Sequence, residues 1–348
     1  MTMLFMKKKY QLERFFVTWL MILFMILTDA FTAFAQVKQA TFLVNGISCD
    51  LEQGILKVEF VTPDVVRVQY TGENTFIGNG TDVCLPRAVD NPVRWVYTPN
   101  PDCYLLKSDS LIVRVDLSTA SITYLDKEGG LLLQEDQNIP RISEKRVTKQ
   151  VIYDEHSKHI EKTADGDKEI KNVLRYDTIG HTWKYRINFK WQPLEALYGW
   201  GAHMEDYMNL RGKEHYLCQH NLKAMVPVLN STAGYGLLFD AGCAMMFKDN
   251  SEGSFVELEA AKQIDYYFMK GKTMDAVVAN YRLLTGNSPM MPLYLFGYIQ
   301  SKERYVSSDD LINTLKEYRQ RQIPIDMIVQ DWNYWPEGQW GNMSMNPK

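Results

Sequence analysis

The chain has 348 residues, 46% of them hydrophobic and 23% charged, with no low-complexity bias, so it holds enough apolar material for more than one core. Its 38 basic and 42 acidic residues nearly cancel to a net charge of −4, and no basic stripe or tail appears, which excludes nucleic acid and an anionic membrane surface as partners.

The first 35 residues stand apart. Lys7, Lys8, Lys9 and Arg14 precede an apolar run over 15–27, and Ala33-Phe34-Ala35 offers small residues at the two positions a signal peptidase inspects. The competing reading is a retained membrane anchor. Thirteen residues closed by Thr28 and Asp29 fall short of the roughly 20 that a span needs. The pattern therefore predicts a signal peptide over 1–35, export to the periplasm or beyond, and no stable membrane span. Cleavage takes four positive and two negative charges, leaving −6 on the mature chain.

Residues 36–290 read as strands. Leu56, Val58 and Phe60 alternate, then Val66, Val68 and Tyr70, then Leu111, Val113 and Val115. Ile122, Tyr124 and Leu125 run into the turn Asp126-Lys127-Glu128-Gly129-Gly130 before residues 131–133. Apolar spacing of two, broken by Gly, Asp, Asn and Pro at short intervals, predicts an antiparallel sandwich. Residues 141–172 are far more polar, with 15 of 32 charged and an Asp165-Gly166-Asp167 turn, as expected of a solvated hairpin. A short helix follows over 273–284, with Thr273 as its cap, Val277, Tyr281 and Leu284 on one face, and Gly286 as its stop.

After Pro289 and Pro292 the pattern changes. The nearly unbroken apolar run over 293–300 predicts a strand buried on both faces. Ser307 or Ser308 caps a helix to about Gln320 whose buried stripe would be Leu311, Leu315 and Tyr318. Pro324 leads into a second buried strand over 325–329 that ends at Gln330-Asp331-Trp332. Strand, helix and strand in about thirty residues is a parallel βαβ unit. The acidic and aromatic residues gather at the C-terminal end of its second strand, where (β/α)₈ barrels place their chemistry.

Metal and disulfide chemistry find little support in spacing. Cys49, Cys84, Cys103, Cys218 and Cys243 show no CxxC pair, and their odd count suits a core that does without disulfides. His215 and His220 lie five apart with no Glu between them in the zinc-protease arrangement. The expectation is no metal and no cofactor.

The ordered motifs from residue 197 onward are more specific. Leu197-Tyr198-Gly199-Trp200-Gly201 is followed by Asn209-Leu210-Arg211-Gly212 and Gln219-His220-Asn221. Val226-Pro227-Val228, Ser231-Thr232 and Gly234-Tyr235-Gly236-Leu237-Leu238-Phe239-Asp240 come next, then Asp265-Tyr266-Tyr267-Phe268 and Tyr281-Arg282 with Leu284-Thr285-Gly286. Gly297-Tyr298-Ile299-Gln300-Ser301, Tyr305, residues 319–326 and Gln330-Asp331-Trp332-Asn333-Tyr334-Trp335 close the series. In this order and spacing the segments resemble the family 31 glycoside hydrolases, and among them the bacterial α-xylosidase-like members. The likeness is strongest from 197 to the end and weaker over 40–196.

That resemblance implies a multi-domain β then α/β protein. A signal peptide over 1–35 would precede a galactose mutarotase-like antiparallel β-sandwich over 36–290 and, over 291–348, the first two strands of a (β/α)₈ TIM barrel, truncated. The implied reaction is retaining hydrolysis of a terminal α-linked sugar, with an oligosaccharide ending in α-xylosyl or α-glucosyl as partner. In the family both catalytic carboxylates are Asp on later barrel strands. Neither is expected within these residues, so the chain alone should be inactive, and its unpaired strand edge should leave it poorly soluble.

By the same resemblance Asp331 would bind sugar hydroxyls. A carboxylate at a strand exit can accept two O–H bonds; otherwise it is a helix cap or a surface ion. Trp332, Tyr334, Trp335 and Trp340 could wall a pocket too narrow for a hydroxymethyl group, with Trp332 and Trp335 the pair chosen for that role and the others left to packing. Aromatics are plentiful, at 8 Trp, 20 Tyr and 15 Phe, and cores use them as readily as sugar platforms do. Asn221 matches a loop position where many members carry Asp. Glu303, with Lys302, would line the barrel mouth or be plain surface charge, and Asp326 would be structural.

Two other classes compete. A non-catalytic carbohydrate-binding module would have no use for the βαβ unit. A mutarotase-type epimerase would need a His–Glu pair in the sandwich, and none stands out in the sequence. Within the leading class, α-glucosidase is the runner-up to α-xylosidase.

Overall fold

A computed structural model describes residues 36–78, 83–85, 92–163, 166–339 and 341–347. The expected signal peptide over 1–35, Asp165 of the hairpin turn and Trp340 lie outside the described residues. The chain divides into two compact units, the first formed by Met1–Val147 and His181–Asn287, the second by Thr148–Gly180 and Ser288–Lys348.

The strands of the first unit begin with β1 (Val37–Phe42), β2 (Gly46–Leu51), β3 (Ile55–Thr62), β4 (Val65–Thr71) and β5 (Val96–Thr98). β6 (Cys103–Lys107), β7 (Leu111–Asp116), β8 (Ile122–Asp126) and β9 (Leu131–Glu135) follow. β10 (Arg141–Tyr153) carries the chain out, β11 (His159–Thr163) and β12 (Gly166–Ile170) pair with each other, and β13 (Val173–Lys190) brings it back. β14 (Leu197–Ala202), β15 (Glu214–Leu217), β16 (Ala224–Ser231) and β17 (Tyr235–Phe239) come next. β18 (Met245–Asn250), β19 (Gly253–Ala261) and β20 (Ile264–Lys270) precede helix α1 (Met274–Thr285).

Two large sheets result, ordered β1-β2-β3-β4-β20-β17-β16-β14 and β15-β18-β19-β13-β9-β8-β7-β6-β5, with β10 beside β13. The expected alternation holds on β7, where Leu111, Val113 and Val115 are buried and Ile112, Arg114 and Asp116 are half-buried. One apolar cluster takes Val58, Val68 and Phe268 from the first sheet and Val113, Tyr124 and Ile187 from the second, so the sheets share a single core. Tyr124 lies flat over Phe268, with ring centroids 4.0 Å apart and planes within 5° of parallel. Each such buried side chain contributes about 1.5–3 kcal/mol by leaving water. The architecture is the β-sandwich anticipated from the alternation. None of the five cysteines is in a disulfide.

Helix α1 starts and stops as its sequence implies. The Thr273 hydroxyl accepts from the Ala276 amide, Gly286 (φ 91°) ends the helix, and Val277 and Leu284 are buried. Gly236 lets the helix seat on β17, because a Cβ there would fall 2.4 Å from Val277.

The second unit contains the β11–β12 hairpin, which faces solvent as its charge density implies, and a parallel βαβ element. β21 (Ile299–Lys302) and β22 (Met327–Gln330) pair in parallel around α2 (Ser308–Gln320). Ser307 caps α2 by accepting from the Asp310 amide. Three expectations need correction. Residues 293–296 form a 3₁₀ turn, not strand, with Leu293 87% and Phe296 76% exposed. Pro292 starts that turn and Gly297 ends it, so the strand begins two residues further on. β21 is mostly exposed and β22 and the Leu311–Leu315–Tyr318 stripe only half-buried, because each strand has a single neighbour in a two-stranded sheet. The second strand is also shorter than 325–329 suggested: Ile325 is buried but stands before it.

Candidate functional site

The C-terminal ends of β21 and β22 carry four of the five residues singled out in the sequence. A parallel pair brings both exits to the same edge, and the register Lys302↔Gln330 sets Glu303 and Asp331 immediately beyond it. The two exit loops are laced together. The Trp332 amide donates to the Glu303 carbonyl (3.0 Å), the Tyr305 amide donates to the Gln330 side-chain oxygen (3.1 Å), and the Gln330 amide group donates to the Trp332 carbonyl (3.0 Å).

The aromatic residues form a step. Trp332 meets Trp335 edge to face at 5.8 Å, and Tyr334 meets Trp335 at 5.3 Å. Trp335 is buried, whereas Trp332 is half-buried with the Arg304 guanidinium 5.3 Å from its ring. Asp331 is exposed and, among the described residues, has no hydrogen-bond or ion-pair partner, which leaves both its oxygens available to accept. Glu303 is exposed, and Lys302 beside it sits 4.4 Å over the Tyr305 ring. Asp326 is structural, as expected: its carboxylate accepts from the Tyr298 amide (3.0 Å), and its own amide donates to the Tyr298 carbonyl (3.0 Å).

Asn221 belongs to the first unit, in the exposed link between β15 and β16. The Leu197–Gly201 motif ahead of it is a bulged strand. β14 pairs with β16, and the register shifts between Gly199 and Gly201. Gly201 has φ 87°, and a Cβ there would stand 1.9 Å from the Ala224 carbonyl oxygen. The bulge turns Trp200 (φ 63°) into the core, against Phe239 and Phe247. The next motif is fixed by Asp249, which accepts from Arg211 Nε (2.9 Å) and from the Gly212 amide (2.7 Å). Gln219 then closes the link, accepting from the Met225 amide (2.9 Å) and donating to the Lys223 carbonyl.

The same region holds a cluster that the sequence reading missed. His203 and Glu205, two apart just after β14, meet His215 of β15; His203 Nδ1 lies 2.7 Å from Glu205 Oε2, and the two imidazole centroids are 4.3 Å apart. Lys223 Nζ lies 2.7 Å from Glu205 Oε1, and the Tyr207 hydroxyl lies 3.3 Å from His215 Nδ1. The Lys223 hydrogen bond draws the Glu205 carboxyl down to about 2, and burial pushes the His215 imidazolium below its usual range although Glu205 pulls the other way. The partner of His215 is thus His203 and not His220. His203 and Glu205 touch and leave no room for a sugar ring between them, so they are not the pair that an epimerase would need. The signal available was the buried position of His215 on an alternating strand together with the His-x-Glu spacing.

Comparison with known proteins accords with this architecture. Residues 55–247 match the glycosyl hydrolase 31 N-terminal galactose mutarotase-like domain, and residues 288–348 match the glycosyl hydrolases family 31 TIM-barrel domain. An α-xylosidase of Saccharolobus solfataricus is 28% identical over 294 residues, covering 82% of this chain and 35% of that protein. The fold is shared with a family 31 dextranase of Flavobacterium johnsoniae solved with isomaltotriose (TM-score 0.67, 20% identity, 87% of this chain, 34% of that one). It is shared too with a family 31 α-xylosidase of Xanthomonas citri (TM-score 0.66, 18% identity, 88% of this chain, 47% of that one). The chain spans about a third of the length of its Saccharolobus relative. With more than half of its residues matching the sandwich domain and the βαβ element matching the barrel domain that follows, the chain belongs to glycoside hydrolase family 31.

Proposed function

We propose that this chain is the front part of an exported, exo-acting, retaining α-glycosidase that removes terminal α-xylosyl units from oligosaccharides. The observation that carries the reading is Asp331. It stands at the C-terminal exit of a parallel strand, exposed and, among the described residues, unengaged, beside the half-buried Trp332. A carboxylate so placed accepts two sugar hydroxyls, each such charged bond stronger than a neutral one, while the indole offers an apolar face. Trp335 beneath stiffens that wall, and a stiff aromatic wall favours the pentose, which lacks a hydroxymethyl group. The α-xylosidase names among the relatives support the same choice.

Retaining cleavage needs two carboxylates about 5–5.5 Å apart, one as nucleophile and one as acid/base. In this reading both lie on barrel strands after β22, and residues 1–348 hold the sugar without cleaving it. Glu303 is assigned to the rim of the subsite. The basic start and apolar run over 1–35 support delivery across the inner membrane. An α-glucosidase is the second reading, favoured by the isomaltotriose-bound dextranase of like fold.

The test is calorimetric titration of the full chain with xylose-capped and glucose-capped oligosaccharides. Tighter binding of the xylosyl ligand, weakened at least about tenfold by Asp331→Asn, supports the proposal. Equal binding by the variant would remove Asp331 from the site. Turnover of an aryl α-xyloside by this chain alone would overturn the placing of the catalytic pair.

A further inference from the structure

We propose that His203, Glu205 and His215 form a site for a divalent transition-metal ion of the zinc class, which braces the loop between β14 and β16. One nitrogen from each histidine and one oxygen of Glu205 all lie within 4.8 Å of one another. Two imidazoles and a carboxylate are the donor set that zinc takes when three protein ligands leave a fourth position to water.

A second observation points the same way. The His203 side chain is only 9% exposed, and its Nδ1 faces Glu205 Oε2 at 2.7 Å without the alignment of a hydrogen bond; neither atom has another hydrogen-bond partner. Two buried polar atoms facing each other this way carry a cost that a shared cation removes. Ligand atoms about 2.0–2.1 Å from a tetrahedral zinc stand about 3.3 Å apart, so this pair has to open by only a fraction of an ångström. His215 Nδ1 lies 3.9 Å from Glu205 Oε1, so the His215 ring stands near enough for one of its nitrogens to reach the same ion after a rotamer adjustment.

The surroundings resemble the outer shell of a metal site. Lys223 holds Glu205 Oε1, which leaves Oε2 as a single directed donor. The Tyr207 hydroxyl donates to the Glu214 carbonyl (3.2 Å) and meets His215 Nδ1 (3.3 Å), and such contacts fix which ring nitrogen is free to bind metal. The positive charge of Lys223 opposes a cation, yet its bond to the far oxygen is what orients the near one. An ion here would tie the end of β14 to β15, on either side of the Asn209-Leu210-Arg211-Gly212 segment and just ahead of Gln219, His220 and Asn221. The role is structural bracing, since the ligands come from two chain segments and Lys223 already holds the far oxygen of Glu205. It is independent of which sugar the protein takes.

The test uses the full chain stripped with chelator and dialysed, then titrated with zinc chloride. One ion per chain is expected. His203→Asn and His215→Gln should each weaken binding by more than the 10–100-fold that outer-shell changes cost, while His159→Ala, in the β11–β12 hairpin of the other unit, should leave it unchanged. Cobalt(II) added to the unaltered protein should give the intense visible bands of a four-coordinate N/O site, a readout that does not depend on the variants folding. Absence of saturable one-to-one zinc binding, or binding that survives both substitutions, would show the cluster to be only a lysine–glutamate–histidine ion-pair network.

Discussion

Arg67 on β4 grips Asp265 on β20 through two bonds, Nε to Oδ1 at 2.9 Å and Nη2 to Oδ2 at 2.6 Å, in the interior of the first sheet. Both side chains are more than nine-tenths buried. The Gln69 amide adds a third bond to Oδ2 (2.8 Å), and the Tyr267 ring lies 5.4 Å from the guanidinium. Burial raises the Asp265 carboxyl above its usual range, against the pull of Arg67, so the pair survives on geometry and not on charge alone. We expect Arg67→Met to destabilise by about 3–5 kcal/mol, the cost of a buried charge left alone. The double change Arg67→Met with Asp265→Leu should recover most of it. Urea unfolding of the four proteins measures the cycle, and a double variant as unstable as the single one would mean that the pair contributes more than mutual neutralisation.

The bulge at Gly199-Trp200-Gly201 is a backbone requirement of a different kind. Gly201→Ala forces a methyl to within 1.9 Å of the Ala224 carbonyl oxygen at a φ of 87°. Left-handed strain alone costs about 1–3 kcal/mol, and here the strands must also part. A loss of at least about 2 kcal/mol is expected. Gly212→Ala is the control, because its φ is 71° but open space surrounds it; a loss of only about 1 kcal/mol is expected there. Comparable losses in thermal unfolding would show that conformation matters and contact does not.

What the sequence disclosed follows from the range of the forces involved. Thr273 could be named as a cap, and the second cap narrowed to Ser307 or Ser308, because a cap is made within four residues. The β7 stripe was readable because a period of two already says which face is wet. The exposed 293–296 turn was misread because an apolar run records no information about whether neighbours cover it. The His203–Glu205–His215 cluster was missed for a related reason: the His-x-Glu spacing and the alternation at His215 were there to read, but how the loop after β14 folds back on β15 is encoded in no local spacing. Asp331 was chosen through an ordered set of motifs, and the parallel pairing of β21 with β22 sets it at a strand exit, which no local pattern around it records.

Acid should loosen the loop that follows the bulge. Burial disfavours the Asp249 carboxylate, but bonds from Ser254, the Gly212 amide and Arg211 outweigh it and hold the group below its ordinary value. A depressed folded value means that the unfolded chain binds the proton more readily. The stabilisation is therefore complete above the ordinary aspartate range and is lost as pH falls through that range toward the lower folded value. Asp249→Asn should remove this part of the acid dependence and lower stability at neutral pH. Thermal unfolding from pH 7 to pH 3 tests both, and a variant whose stability falls as steeply as that of the parent would assign the acid sensitivity elsewhere.

The parallel pair itself depends on one carboxylate. Asp326 accepts from the Tyr298 amide while its own amide donates to the Tyr298 carbonyl, so the start of β21 is fixed to the start of β22 from both directions. Gly297 is the residue that permits the approach, since a Cβ there would fall 2.0 Å from Asp326 Oδ2. Asp326→Ala deletes the acceptor and leaves the reverse bond. A hydrogen bond to a charged group is worth about 1.5–3 kcal/mol, so exchange of the Tyr298 amide should accelerate by about tenfold or more. Amides of the first sheet, such as Leu237, should keep their protection. If the Tyr298 amide exchanged no faster in the variant, the strand exits that present Glu303 and Asp331 would owe their register to the backbone pairing and the α2 contacts instead.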